Sequence, residues 1–131
     1  MDVVIDTSAV IAVITSAPEK PALVAATRGA SLIAPPSIHW EVGNAFSAMV
    51  RRKRIEPEAV RQAVAVYRSV PIRFVEIDLG ASLEIALRHG LYAYDAYLIE
   101  CALITKAPLL TLDGPLRRAA AEAGAALMDL Q

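Results

Sequence analysis

Short β-branched and apolar runs alternate along this chain with longer stretches whose apolar residues recur at helical spacing. Val3-Val4-Ile5 predicts a first strand ending at Asp6. A helix is expected from about Thr7 until Pro18 interrupts it, and a second piece from about Pro21 to Arg28. Ser31-Leu32-Ile33 predicts a short strand stopped by Pro35-Pro36. Pro36 pre-sets a helix running to about Lys53. Pro57 opens the next, with Val60, Val64 and Tyr67 on one face. Ile72 to Ile77 is the clearest strand pattern. Asp78 then suits the N-cap of a helix to His89, and Gly90 suits its stop. A helix is expected from about Tyr94 to Lys106, and a strand over Leu109 to Leu112, stopped by Asp113-Gly114-Pro115. A last helix to about Ala123 and a short edge strand around Ala126-Leu127 complete the pattern.

Strands separated by helices predict parallel βαβ units with right-handed crossovers. The strands are continuously apolar, as they are when helices cover both sheet faces. The expected fold is α/β, in three layers, with a central mostly parallel sheet. The 131 residues suit a single domain over 1–131. At 56% hydrophobic and 21% charged, the composition excludes disorder. A mean hydropathy of +0.45 raises the question of a membrane. The most apolar stretch, Val3 to Ala17, is interrupted by Asp6 and falls short of the roughly 20 residues a spanning helix needs. Asp2 and Asp6, with no early positive charge, do not read as a secretory signal. One cysteine permits no internal disulfide, which suits the cytoplasm. The net charge of −1 gives no global basic field for nucleic acid, though it leaves room for a local patch.

In open α/β sheets ligands bind outside the carboxyl ends of the strands. Asp6 and Asp113 follow strands there. Glu41 and Asp95 lie near the starts of helices, which open onto the same edge. Each acid has an ordinary alternative. Asp6 can be a loop acid or a cap, Asp95 a first-turn acid on its helix, Glu41 a solvated side chain and Asp113 a turn residue. Convergence of all four would be costly, because two carboxylates about 4 Å apart repel by roughly 4 kcal/mol at an effective dielectric near 20. Protonation or a cation relieves that cost. An all-carboxylate pocket suits Mg²⁺ or Mn²⁺, and such a centre suits phosphodiester hydrolysis. Cys101 and the two histidines show no zinc-ligand spacing. The chain has no Gly-rich phosphate loop and no nucleophile elbow around Ser8. Cys101, among Leu98, Ile99, Ala102 and Leu103, reads as a core thiol.

Four motifs in order, VVIDTSAVIA, WEVGNAFSAMVRRKRI, HGLYAYDAYLIECA and APLLTLDGPLRRAA, resemble those of a PIN domain, specifically a VapC-type toxin ribonuclease of bacterial toxin–antitoxin pairs. The resemblance spans nearly the whole chain. It implies the PIN fold and a metal-dependent endoribonuclease acting on structured RNA such as tRNA or rRNA. Asp6, Glu41, Asp95 and Asp113 match the family's acids in order. The first three would hold Mg²⁺ or Mn²⁺ directly or through water, and Asp113 would complete the pocket. Thr7, Ser8 and Thr111 match the hydroxyls beside the acids, and Asn44 matches an asparagine on the Glu41 face. The resemblance also implies a homodimer and a VapB-type antitoxin covering the acidic groove, where an antitoxin arginine can replace the metal's charge. The family often has Tyr three residues after the third acid. Here Leu98 stands there, with Tyr97 before it, and Glu100 occupies a commonly apolar position, about 140° around the helix from Asp95.

Asp78 reads as a cap, His39 and His89 as structural, and Trp40 and Phe46 as core or interface groups. Arg51, Arg52, Lys53 and Arg54 form the one dense basic run, readable as helix-end charge or as contact with RNA phosphates. Arg117-Arg118 lies close enough in sequence to Asp113 to face substrate. The competing class is a non-catalytic α/β module, either a degenerate PIN domain that binds RNA or a receiver-like domain. A receiver needs a lysine after its late strand. Lys106 precedes that strand here, and no lysine follows it.

Overall fold

A computed structural model describes residues 1–130. The elements run β1 (Asp2–Ile5), α1 (Thr7–Ile14), α2 (Lys20–Ala26), β2 (Ser31–Ala34), α3 (Ile38–Arg51), α4 (Pro57–Ser69), β3 (Ile72–Phe74), α5 (Leu79–His89), α6 (Ala93–Thr105), β4 (Leu109–Leu110) and α7 (Gly114–Glu122). The strands order as β3-β2-β1-β4, and every pairing is parallel. The chain steps outward from β1 to β3, then returns to the other side of β1 for β4. The strand order therefore reverses between β1 and β4, and the carboxyl ends of those two strands flank the crevice where such sheets bind ligands.

Alternation along the strands builds two cores. Val3 and Ile5 face a cluster with Leu23, Ile38, Val42, Phe46 and Tyr67 from α2, α3 and α4. Val4 faces the opposite cluster, with Leu98, Ile99, Leu116 and Ala120 from α6 and α7. Both faces of β1 are thus covered, which is why Val3, Val4 and Ile5 run apolar without a break. Cys101 lies buried in the second core, as its neighbours imply.

Several boundaries follow from identifiable chemistry. Asp78 accepts a bond from the Ala81 N–H at 2.7 Å and caps α5, and Gly90 ends that helix at φ 64°. The expected strand to Ile77 stops at Phe74. The Val75 N–H still reaches the Ala34 carbonyl, but β2 then gives way to Pro35-Pro36, which have no N–H to continue a ladder. The expected strand to Leu112 likewise ends at Leu110, because the N–H groups of Leu112 and Asp113 turn to the hydroxyls of Ser8 and Thr111. Near the C-terminus a single parallel bridge joins Leu127 to Leu109. Phe46 is buried in the core as expected, but Trp40 is 69% exposed and is no core residue. Among the described residues no helix is long and apolar enough to cross a membrane.

Candidate active site

Asp6 ends β1 and caps α1. Its carboxylate is 3% exposed and accepts from the Ala9 N–H at 3.0 Å, from the Ser8 hydroxyl at 2.8 Å and from the Thr111 hydroxyl. Ser8 in turn accepts from the Leu112 N–H at 3.0 Å, and Thr111 from the Asp113 N–H at 3.0 Å. Two hydroxyls therefore lock the loop after β4 onto the loop after β1, across about a hundred residues of chain. This lock places Asp113 beside the crevice. Asp113 itself is exposed and caps α7, accepting from the Leu116 N–H at 3.2 Å.

Glu41 lies in the first turn of α3, and Asp95 in the first turn of α6. Their charges are felt across the crevice. Burial pushes the Glu41 carboxyl up to about 8, helped by the charges of Asp6 and Asp95, while the Thr7 hydroxyl pulls weakly the other way. No hydrogen bond of ordinary geometry closes at that hydroxyl, and Glu41 Oε2 is likewise buried with no partner. Burial also raises Asp95, with Asp113 and Asp6 adding to it. Asp6 is raised because burial outweighs its three hydrogen bonds, with a smaller contribution from Asp113. All four sequence-predicted acids are thus electrostatic neighbours.

They do not form a finished ligand cage. Among the described residues, no three His, Cys, Asp or Glu side chains are already arranged as a metal-binding set. The donor set nevertheless fits a hard divalent cation. It is all oxygen and mutually repelling, and it contains a buried carboxylate oxygen that nothing satisfies.

The other predicted residues divide. Ser8 and Thr111 hold Asp6 directly. Thr7 sits beside Glu41. Asn44 is exposed and makes no side-chain hydrogen bond among the described residues. Arg51, Arg52, Lys53 and Arg54 are all exposed at the far end of α3. With a rise of 1.5 Å per residue, Arg51 stands about 15 Å along the helix axis from Glu41. Arg117 donates to the Met128 carbonyl and to Asp129. Glu100 is buried, and burial raises its carboxyl with help from Asp78, not from the four acids. His39 is structural, its Nδ1 2.9 Å from the Tyr67 hydroxyl and its ring against Phe74.

One group escaped the sequence reading. Ser37, one turn before Glu41 on the same side of the chain, keeps a buried hydroxyl without a partner. The signal was its position just ahead of a helix, where serine ordinarily caps. Here its backbone is already helical, and the side chain makes no capping bond.

No curated protein matches the chain. Among solved structures, that of PAE2754 from Pyrobaculum aerophilum is similar in fold, with a TM-score of 0.70 and 22% identity over 91% of this chain and 87% of the other. The family described as PIN domain matches residues 3–122. With the parallel sheet, the crevice at its switch point and the match over nearly all of the sequence, the chain belongs to the PIN domain family, generally one of nucleases.

Proposed function

We propose that the protein is a metal-dependent endoribonuclease of the VapC type, hydrolysing phosphodiester bonds of structured RNA such as tRNA or rRNA. Asp6, Glu41 and Asp95 would hold Mg²⁺ or Mn²⁺, with Asp113 completing the pocket directly or through water. The observation that carries this reading is Glu41. A carboxylate kept among like charges, with one buried oxygen unsatisfied, calls for a cation at that place. Once bound, a divalent cation polarises the phosphate, lowers the pKa of a bound water and steadies the leaving oxygen. The chain's own part is orientation. Ser8 and Thr111 fix Asp6 and hold the Asp113 loop beside it.

The toxin role and a VapB-type antitoxin rest on the four sequence motifs. An antitoxin segment lying over the acids and presenting an arginine would answer the same charge. Pairing of two copies is supported by a row of exposed leucines on α5. Leu79, Leu83 and Leu87 are 61%, 42% and 78% exposed, and at a spacing of four they share one side of the helix. Contiguous apolar rows of this kind mark interaction surfaces. An antiparallel copy would set the acidic start of α5, Asp78, against Arg88 near its end. A cytoplasmic location accords with the buried free cysteine.

The test is RNA cleavage by purified protein with Mg²⁺ or Mn²⁺. Asp6→Asn and Asp95→Asn should each lower the rate by about 100-fold or more while keeping the folded circular-dichroism spectrum. Wild-type cleavage by either variant, or undiminished cleavage in excess EDTA, overturns the reading.

A further inference from the structure

We propose that the turn between α3 and α4, carrying Arg51, Arg52, Lys53 and Arg54, is a second RNA contact, a phosphate clamp about 15 Å from the acid centre. The inference rests on reading that centre as RNA-cleaving and adds to it where a folded substrate is gripped.

The first support is the charge logic. An acid crevice repels a polyanion, and a chain of net charge −1 supplies no general attraction. Substrate must therefore be held by a local cluster of cations. The run at 51–54 is fully exposed. None of its four cations is in a salt bridge among the described residues. The acid nearest along the sequence is Glu56. Glu58, two residues further on, is taken by Arg61.

The second support is the backbone. α3 closes in a Schellman turn, with the Lys53 N–H on the Val50 carbonyl at 2.9 Å and the Arg54 N–H on the Met49 carbonyl at 2.8 Å. Lys53 occupies the left-handed position of that turn, at φ 58°. α7 ends in the same bonding pattern with Gly124 at φ 92°, and α1 does so with Ser16 at φ 55°. Glycine takes this conformation freely, and a side chain does so at a cost. The turn keeps the four cations together at one end of α3, and all four are exposed.

The test is fluorescence-anisotropy binding of a labelled RNA stem–loop to the full chain in EDTA, where no cleavage occurs, across a salt series. The quadruple variant R51Q/R52Q/K53Q/R54Q should bind about 10- to 100-fold more weakly, and its log-affinity should fall with log-salt by about 3 less in slope. Lys53→Gly separates binding from folding. It should raise the melting temperature while weakening RNA binding a few-fold. Equal affinities and parallel salt slopes for wild type and the quadruple variant overturn the proposal, as does Lys53→Gly gaining stability with no loss of binding. A failure of the nuclease reading shows separately, as absence of RNA cleavage by the wild type with metal added.

Discussion

Glu41→Gln replaces a carboxyl by a neutral group of the same shape, and its effect on metal-free stability follows from the crevice electrostatics. The folded protein holds the Glu41 proton up to about pH 8, against 4.5 for an unperturbed glutamate. Between those values the folded chain binds more protons than the unfolded one, so stability falls as pH rises. The stabilisation is fully present below about 4.5 and is lost on passing about 8. The gap corresponds to at most roughly 5 kcal/mol. Solvent around a partly exposed carboxyl reduces it to about half. For a chain of this length that is a loss of about 8–12 °C in melting temperature between pH 5 and pH 8. In EDTA, wild type and Glu41→Gln should melt within a few degrees of each other at pH 5. At pH 8 the variant should be the more stable. Some pH dependence persists in the variant, because burial also raises Asp6 and Asp95. Thermal melts followed by circular dichroism over this range decide the matter. Parallel curves for the two proteins would refute the electrostatic account of the crevice.

The same melts at pH 8 with Mg²⁺ or Mn²⁺ should show the wild type gaining about 3 kcal/mol at a hundredfold excess over the dissociation constant, and Glu41→Gln gaining much less; an equal gain places the cation elsewhere. Thr111→Val removes a donor from buried Asp6 and the acceptor for the Asp113 N–H. It should cost about 1–3 kcal/mol in denaturant unfolding, and an unchanged midpoint would mean the lock contributes nothing. Leu83→Glu puts a charge in the exposed row on α5, so sedimentation should show the wild type as a dimer and the variant as a monomer; a dimer that survives the change moves the interface off this helix.

Much of the fold was legible in the sequence because the cues were local. Asp78 and Gly90 bracket α5 where capping chemistry puts them, and Val3, Val4 and Ile5 are apolar because both faces of β1 are covered. The order of the acids along the chain, and their places after strands or in first helical turns, were also readable. Strand lengths were not. Ile72 to Ile77 has one apolar pattern throughout, but its ladder depends on a partner strand that runs into Pro35-Pro36. Whether Trp40 was core or interface could not be read, because apolarity says nothing about whether a neighbour arrives to cover it; its exposure removes only the core alternative.

From residue order alone came the alternation of elements, the caps, the family motifs and the identity of four acids. Tertiary structure decided what those acids experience. Burial acts on Glu41 only once α3 packs on α1 and on the sheet face of Val3 and Ile5, and Asp113 reaches the crevice only because Ser8 and Thr111 bond across the β1–β4 junction. Desolvation and Coulomb repulsion depend on distances in space, and these are set when segments remote in the chain pack together.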